Sequence, residues 1–156
     1  VKVFTNGFAV CKFTNFKTDG SAGHDSNFPD TDFFLMRAAE AYLIYAEADA
    51  RMNGGTTTTD GTQYINALRS RAHATTHTAY SLRQICDEWS REFYFEGLRR
   101  TTLIRFGYFG GDVNYNWSWK GGVKNGRNFD AHLNLFPIPS SDLTANGNLV
   151  QNQGYN

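Results

Sequence analysis

A serine three residues ahead of a glutamine, Ser81 and Gln84, opens a run in which Leu82, Ile85, Cys86, Trp89 and Phe93 recur at three- and four-residue spacing. The pair is a capping box, in which the hydroxyl accepts from an orphan helix N–H and the amide reaches back to the cap backbone. It predicts a helix beginning near Leu82, and the spacing puts the five apolar side chains on one core-facing side. Gly97 marks a break, after which Leu98–Phe106 continues as a kinked or separate short helix. Asp87 and Arg91 lie four apart on another side, and Glu88, Glu92 and Glu96 lead towards Arg99 and Arg100. Glu88, Arg91, Glu92, Glu96, Arg99 and Arg100 are expected to form a partly buried structural ion-pair network. A pair of glycosidase carboxylates would have to face each other across a sugar, which carboxylates stacked along one helix do not do.

The rest of the chain falls in place around this helix. Residues 32–53 are rich in Ala, Leu, Met and Glu and stop at Gly54-Gly55, predicting a helix with Leu35, Ala38, Ala39, Tyr42, Leu43 and Ala46 as its packing stripe. Tyr64, Ile65, Leu68 and Ala72 outline a second helix, antiparallel to the first. Ahead of them, Asn6-Gly7 between two apolar runs predicts a short hairpin or extended segment, followed by a polar loop over residues 15–30. Pro137 and Pro139 make an extended element before a turn or short helix starting at Ser140. The expected fold is mainly α, with antiparallel helices, long irregular Gly- and aromatic-rich loops and little strand. It forms one domain over residues 1–156: an extended lead-in (1–31), a helical core (32–106), and an irregular loop with the C-terminal segment (107–156).

Lys plus Arg and Asp plus Glu number 15 each, which removes the electrostatic case for a nucleic acid or an anionic membrane. No run is long and apolar enough to span a bilayer and no signal peptide is visible. Cys11 and Cys86 suit either one disulfide or, for Cys86, a small buried hydrophobe. No cofactor is expected. Asp25, Asn27, Asp30 and Asp32 would suit calcium, although Asp30 to Asp32 equally suit helix capping. Asp112, Asn114 and Asn116 open like a calcium loop, but Trp117 and Val123 stand where the glycine and closing glutamate belong. His24, His73, His77 and His132 lack metal spacing; His73 and His77 read as a surface pair.

Residues 106–129 hold glycines and clustered aromatics without periodicity, the mark of a long shaped surface loop. Tyr115, Asn116, Trp117, Trp119 and Lys120 would suit carbohydrate, because aromatic faces stack on the C–H surface of a sugar ring while amides and amines bond its hydroxyls. In an extended stretch Trp117 and Trp119 would point to one side. The competing reading is that these rings pin the loop onto the helices.

Glu88, Arg91-Glu92-Phe93, Glu96-Gly97, Arg99-Arg100, Leu103-Ile104-Arg105 and Phe106-Gly107 together resemble the signature near the C-terminal end of SusD/RagB-like proteins. Residues 30–48, with Arg37, Glu40, Tyr42, Glu47 and Ala48, resemble that family's first C-terminal helix, and residues 134–143 and 148–155 its closing segment. Trp89 and Thr102 depart from the pattern, standing where the family often has Arg and usually has Asp. The resemblance implies tetratricopeptide-like helices and a non-catalytic protein that captures oligosaccharide or starch-like polysaccharide. It implies a surface lipoprotein of the Bacteroidetes outer membrane, anchored through a lipid outside this chain and passing sugar to a TonB-dependent, SusC-like transporter. This portion would be mainly scaffold and transporter contact. A peptide-capturing RagB-like protein and a purely structural helical interaction module are the other readings.

Overall fold

The computed structural model describes Val10 and residues 12–155, so the Asn6-Gly7 hairpin and Cys11 lie outside the described residues. The chain divides into two compact units, residues up to Glu40 and residues from Ala41 onward. The first is a loop organised by Asn15. Its Nδ2 donates to the Asp25 carbonyl at 2.7 Å, and its Oδ1 accepts from the Asp30 N–H at 3.1 Å. The Asp25 Oδ1 accepts from the Asn27 and Phe28 backbone N–H groups, and the Asp30 Oδ2 accepts from the His24 N–H. These acidic side chains build local turns. They do not cap a helix, because the first helix starts further along.

That helix, α1, runs Ala38–Met52, six residues later than residue 32. Helices draw most of their stability from packing an apolar face, and Leu35 and Met36 are 87% and 85% exposed. The predicted stripe is therefore corrected: Leu35 lies outside the helix, Ala38 and Tyr42 are exposed, and Ala39, Leu43, Ala46 and Ala50 are buried. Helix α2 spans Thr59–Arg71 and buries Gly61, Thr62, Ile65 and Leu68. Tyr64 meets Tyr42 and Tyr45 of α1, while Asp49 near the end of α1 meets the start of α2, so the pair is antiparallel. The Thr58 side chain accepts from no helix N–H; the Asp49 carboxylate accepts from the Thr58 N–H at 2.6 Å and from its hydroxyl at 2.8 Å. A Cβ on Gly61 would lie 2.3 Å from the Asp49 Oδ2, so glycine is what allows this approach.

Helix α3, Leu82–Glu92, begins where the capping box places it: the Gln84 N–H donates to the Ser81 hydroxyl and the Ser81 N–H to the Gln84 Oε1. Its buried side chains are Ile85, Cys86, Glu88 and Trp89, followed by Phe93 just past its end. Gly97, at φ +82°, turns the chain into a separate helix α4, Arg99–Arg105, packed on α3. A fifth helix, α5 (Ser140–Ala145), follows Pro139. Among the described residues the only β pairing is in isolated bridges.

Carboxylates tie the helices together, with partners the sequence reading placed only in part. Glu88 accepts from Arg69 of α2 and Arg91 of α3, both at 2.7 Å, and Glu92 from Arg71 of α2 at 2.6 Å. Glu47 of α1 accepts from Arg51 and from Arg105 of α4. Glu96 is buried. Asp87 meets Arg83 at 3.8 Å rather than Arg91. Arg99 and Arg100 turn to neutral oxygens: Arg99 donates to the Cys86 carbonyl and Tyr115 hydroxyl, Arg100 to the carbonyls of Leu133 and Asn134. They close the C-terminal loops onto the helices. The indole Nε1 of Trp89, at a position where the sequence departs from the family pattern, is buried without a hydrogen-bond partner.

Candidate functional site

The loop after α4 is anchored on α3 and α4 through Tyr108 and Tyr115. Tyr108 stacks on Tyr115 at 4.9 Å, and Cys86, Leu103 and Tyr115 form a buried cluster beneath Phe106, Tyr108 and Phe109. The Arg83 guanidinium lies 4.0 Å from the Tyr115 ring centre, and the Tyr115 hydroxyl donates to the Asp87 carboxylate at 3.1 Å. Burial pushes the Tyr115 phenol and the Cys86 thiol above their ordinary values. A parallel bridge between Gly110 and Phe129 closes the loop at its base.

Of the five residues predicted for sugar contact, three converge. Trp117 meets Tyr115 edge-on at 5.6 Å, and the Lys120 Nζ lies 4.9 Å from the Trp117 ring and 5.1 Å from the Phe129 ring. That ammonium donates to the Tyr115 carbonyl at 2.8 Å. Lys120 is only 1% exposed, and desolvation lowers its pKa from the ordinary value of 10.5. Tyr115 and Lys120 therefore face the interior and brace Trp117. Asn116, Trp117 and Trp119 are exposed, Trp119 by 64%.

The tryptophans do not sit on an extended stretch. The chain turns at Ser118–Trp119 because Gly121-Gly122 let Lys120–Gly122 close into a 3₁₀ turn, with Trp119 left-handed at φ +69°. The Trp119 N–H donates to the Lys124 carbonyl at 3.3 Å and its carbonyl accepts from the Gly122 N–H at 2.9 Å. Gly126 crosses close behind, where a Cβ would lie 2.3 Å from the Trp117 carbonyl oxygen.

A second feature was not anticipated. A cavity of about 540 Å³ at the α3–α4 corner is lined by Trp89, Phe93, Tyr94, Phe95, Arg99 and Arg100 among others. Phe95 there is exposed and left-handed at φ +63°. Its one visible signal is the unbroken aromatic run Phe93-Tyr94-Phe95, which periodicity alone reads as helix continuation. Among the described residues no three His, Cys, Asp or Glu side chains are grouped to hold a metal.

This helical frame has known relatives. The SusD family profile matches residues 2–155, and the chain belongs to that family. It is 44% identical over 153 residues to the starch-binding protein SusD of Bacteroides thetaiotaomicron, a match covering 97% of this chain and 27% of that protein. It superposes with a TM-score of 0.63 on a SusD superfamily protein from Parabacteroides distasonis (24% identity, 79% of this chain, 27% of the other). Surface glycan-binding protein A from Bacteroides uniformis matches at TM-score 0.62 and 25% identity, over 88% of this chain and 30% of the other. The mainly α, tetratricopeptide-like fold expected from the sequence is the fold shared with these structures. The chain spans roughly a quarter to a third of the length of these relatives.

Proposed function

We propose that this chain is the C-terminal portion of a glycan-capturing protein of the bacterial outer surface. The 44% identity to a starch-binding protein over 97% of this chain carries this reading. The ligand is an oligosaccharide or starch-like polysaccharide, held without turnover and passed to a TonB-dependent, SusC-like transporter. The whole protein is a surface lipoprotein. Among the described residues no helix is long and apolar enough to cross a membrane.

Within that protein, this portion acts mainly as scaffold and as transporter contact. The Glu88 and Glu47 bridges, each joining two helices, support the scaffold role. On α1, Ile44, Tyr45 and Met52 are exposed by 53%, 46% and 85%, which supports a protein-facing surface.

Native gels cast with a panel of soluble polysaccharides test the reading. Retardation in amylopectin or a related glycan is expected. Migration unchanged by every polysaccharide, with binding to peptides instead, would replace glycan capture by peptide capture.

A further inference from the structure

Trp119 is presented by a loop tip that holds it in a left-handed backbone state, at φ +69°. A residue with a bulky side chain is strained at positive φ, and such strain persists where the surroundings over-determine it, often at ligand clamps. Here both backbone groups of Trp119 are bonded within the loop, and Gly121, Gly122 and Gly126 supply the other positive φ angles. The result is an indole 64% exposed on a closed tip.

Around Trp119 in sequence the loop exposes mostly polar residues, Asn116, Ser118, Lys124, Asn125 and Asn128, with Val123 the exposed aliphatic among them. An interface core between proteins would need contiguous apolar surface. Aromatic faces set among amides and hydroxyls match a sugar, which offers C–H faces and hydroxyls together. Trp117, 40% exposed, stands two residues away with its ring braced by Tyr115 and by the Lys120 ammonium.

We propose that the loop tip is a stacking site for a neutral oligosaccharide, with Trp119 as platform, Trp117 as second face and Lys120 as a positioning residue. The proposal rests on the glycan reading above and adds where this portion touches the sugar. Asn116 is the nearest amide in sequence for the hydroxyls. Tyr115 and Lys120 act through Trp117, because both are buried beneath it and neither is open to a ligand.

The test is a titration of the ¹⁵N-labelled chain with maltoheptaose, following the indole Nε1–H signals of the three tryptophans. Trp119 is expected to shift most, Trp117 less, and buried Trp89 not at all. Trp119→Gly places the residue that best tolerates φ +69°. It is expected to melt no lower than the wild type yet to bind about tenfold more weakly or worse. Lys120→Met is expected to move the Trp117 signal before any sugar is added and to weaken binding, with Lys120→Arg restoring part of both. Amylopectin retardation of the wild type with an unmoved Trp119 would overturn this site and leave the glycan reading standing. Retardation by no polysaccharide would overturn both. A Trp119→Gly variant that keeps its sugar affinity but loses the transporter would assign the indole to protein contact and overturn the site.

Discussion

Removing the Glu88 carboxylate should be among the most damaging single changes to the helical frame. Glu88 is 6% exposed, and its Oε2 accepts from the Arg69 Nη1 at 2.7 Å and from the Arg91 Nη2 and Nε at 2.7 and 3.1 Å. The two arginines are not equivalent. The Arg69 side chain is 13% exposed and that of Arg91 57%. Glu88→Ala leaves a nearly buried guanidinium without its carboxylate, a loss of about 3–5 kcal/mol. Arg91→Ala removes a solvent-screened partner and should cost about 1 kcal/mol or less. Arg69→Ala should fall between, since Glu88 keeps Arg91. Urea unfolding of the three variants, followed by helical circular dichroism at constant m, measures the order. Equal losses for Glu88→Ala and Arg91→Ala, or a loss under about 1 kcal/mol for Glu88→Ala, would refute the claim that Arg69–Glu88 is the bond between α2 and α3 that matters.

Other outcomes follow from single contacts. Gly61→Ala should destabilise by about 1–2 kcal/mol in thermal melts, the strain against Asp49 exceeding the roughly 1 kcal/mol gain in helix propensity; in an Asp49→Ala background the same change should cost much less. Lys120 loses its proton at lower pH in the folded chain than in the unfolded one, so the unfolded state binds more protons through the window up to 10.5. Stability should therefore rise with pH across that window, and urea midpoints of Lys120→Met should lack this part of the rise. Cys86 is fully buried with its thiol pushed up by desolvation, so peptide mapping after alkylation at pH 8 should find it unmodified until urea unfolds the chain.

What could be read from the sequence was what short-range chemistry decides. Ser81 and Gln84 set the start of α3, Gly97 its separation from α4, and Gly54-Gly55 the region where α1 stops. The lead of α1 was misread because Ala, Leu and Met favour a helix anywhere, whereas residues 32–37 would have had no buried face to support one. Ion-pair partners were placed only in part, for a related reason: Glu88 does accept from Arg91 of its own helix, but its other partner was missed. Spacing offers Arg91 to Asp87, but the fold brings Arg69 and Arg71 from α2 against Glu88 and Glu92, a choice no local rule contains. At the loop, residue types alone brought out Tyr115, Asn116, Trp117, Trp119 and Lys120. Their division into buried braces and exposed faces required the turn at Trp119, which depends on glycines further along and on the Gly110–Phe129 bridge.

Calorimetric titration of the chain with maltoheptaose, run beside an assay for newly released reducing ends, addresses glycan capture most directly. The account predicts a saturable heat with the oligosaccharide and no reducing ends over hours of incubation. Absence of heat with every glycan tried, or steady release of reducing ends, would contradict it.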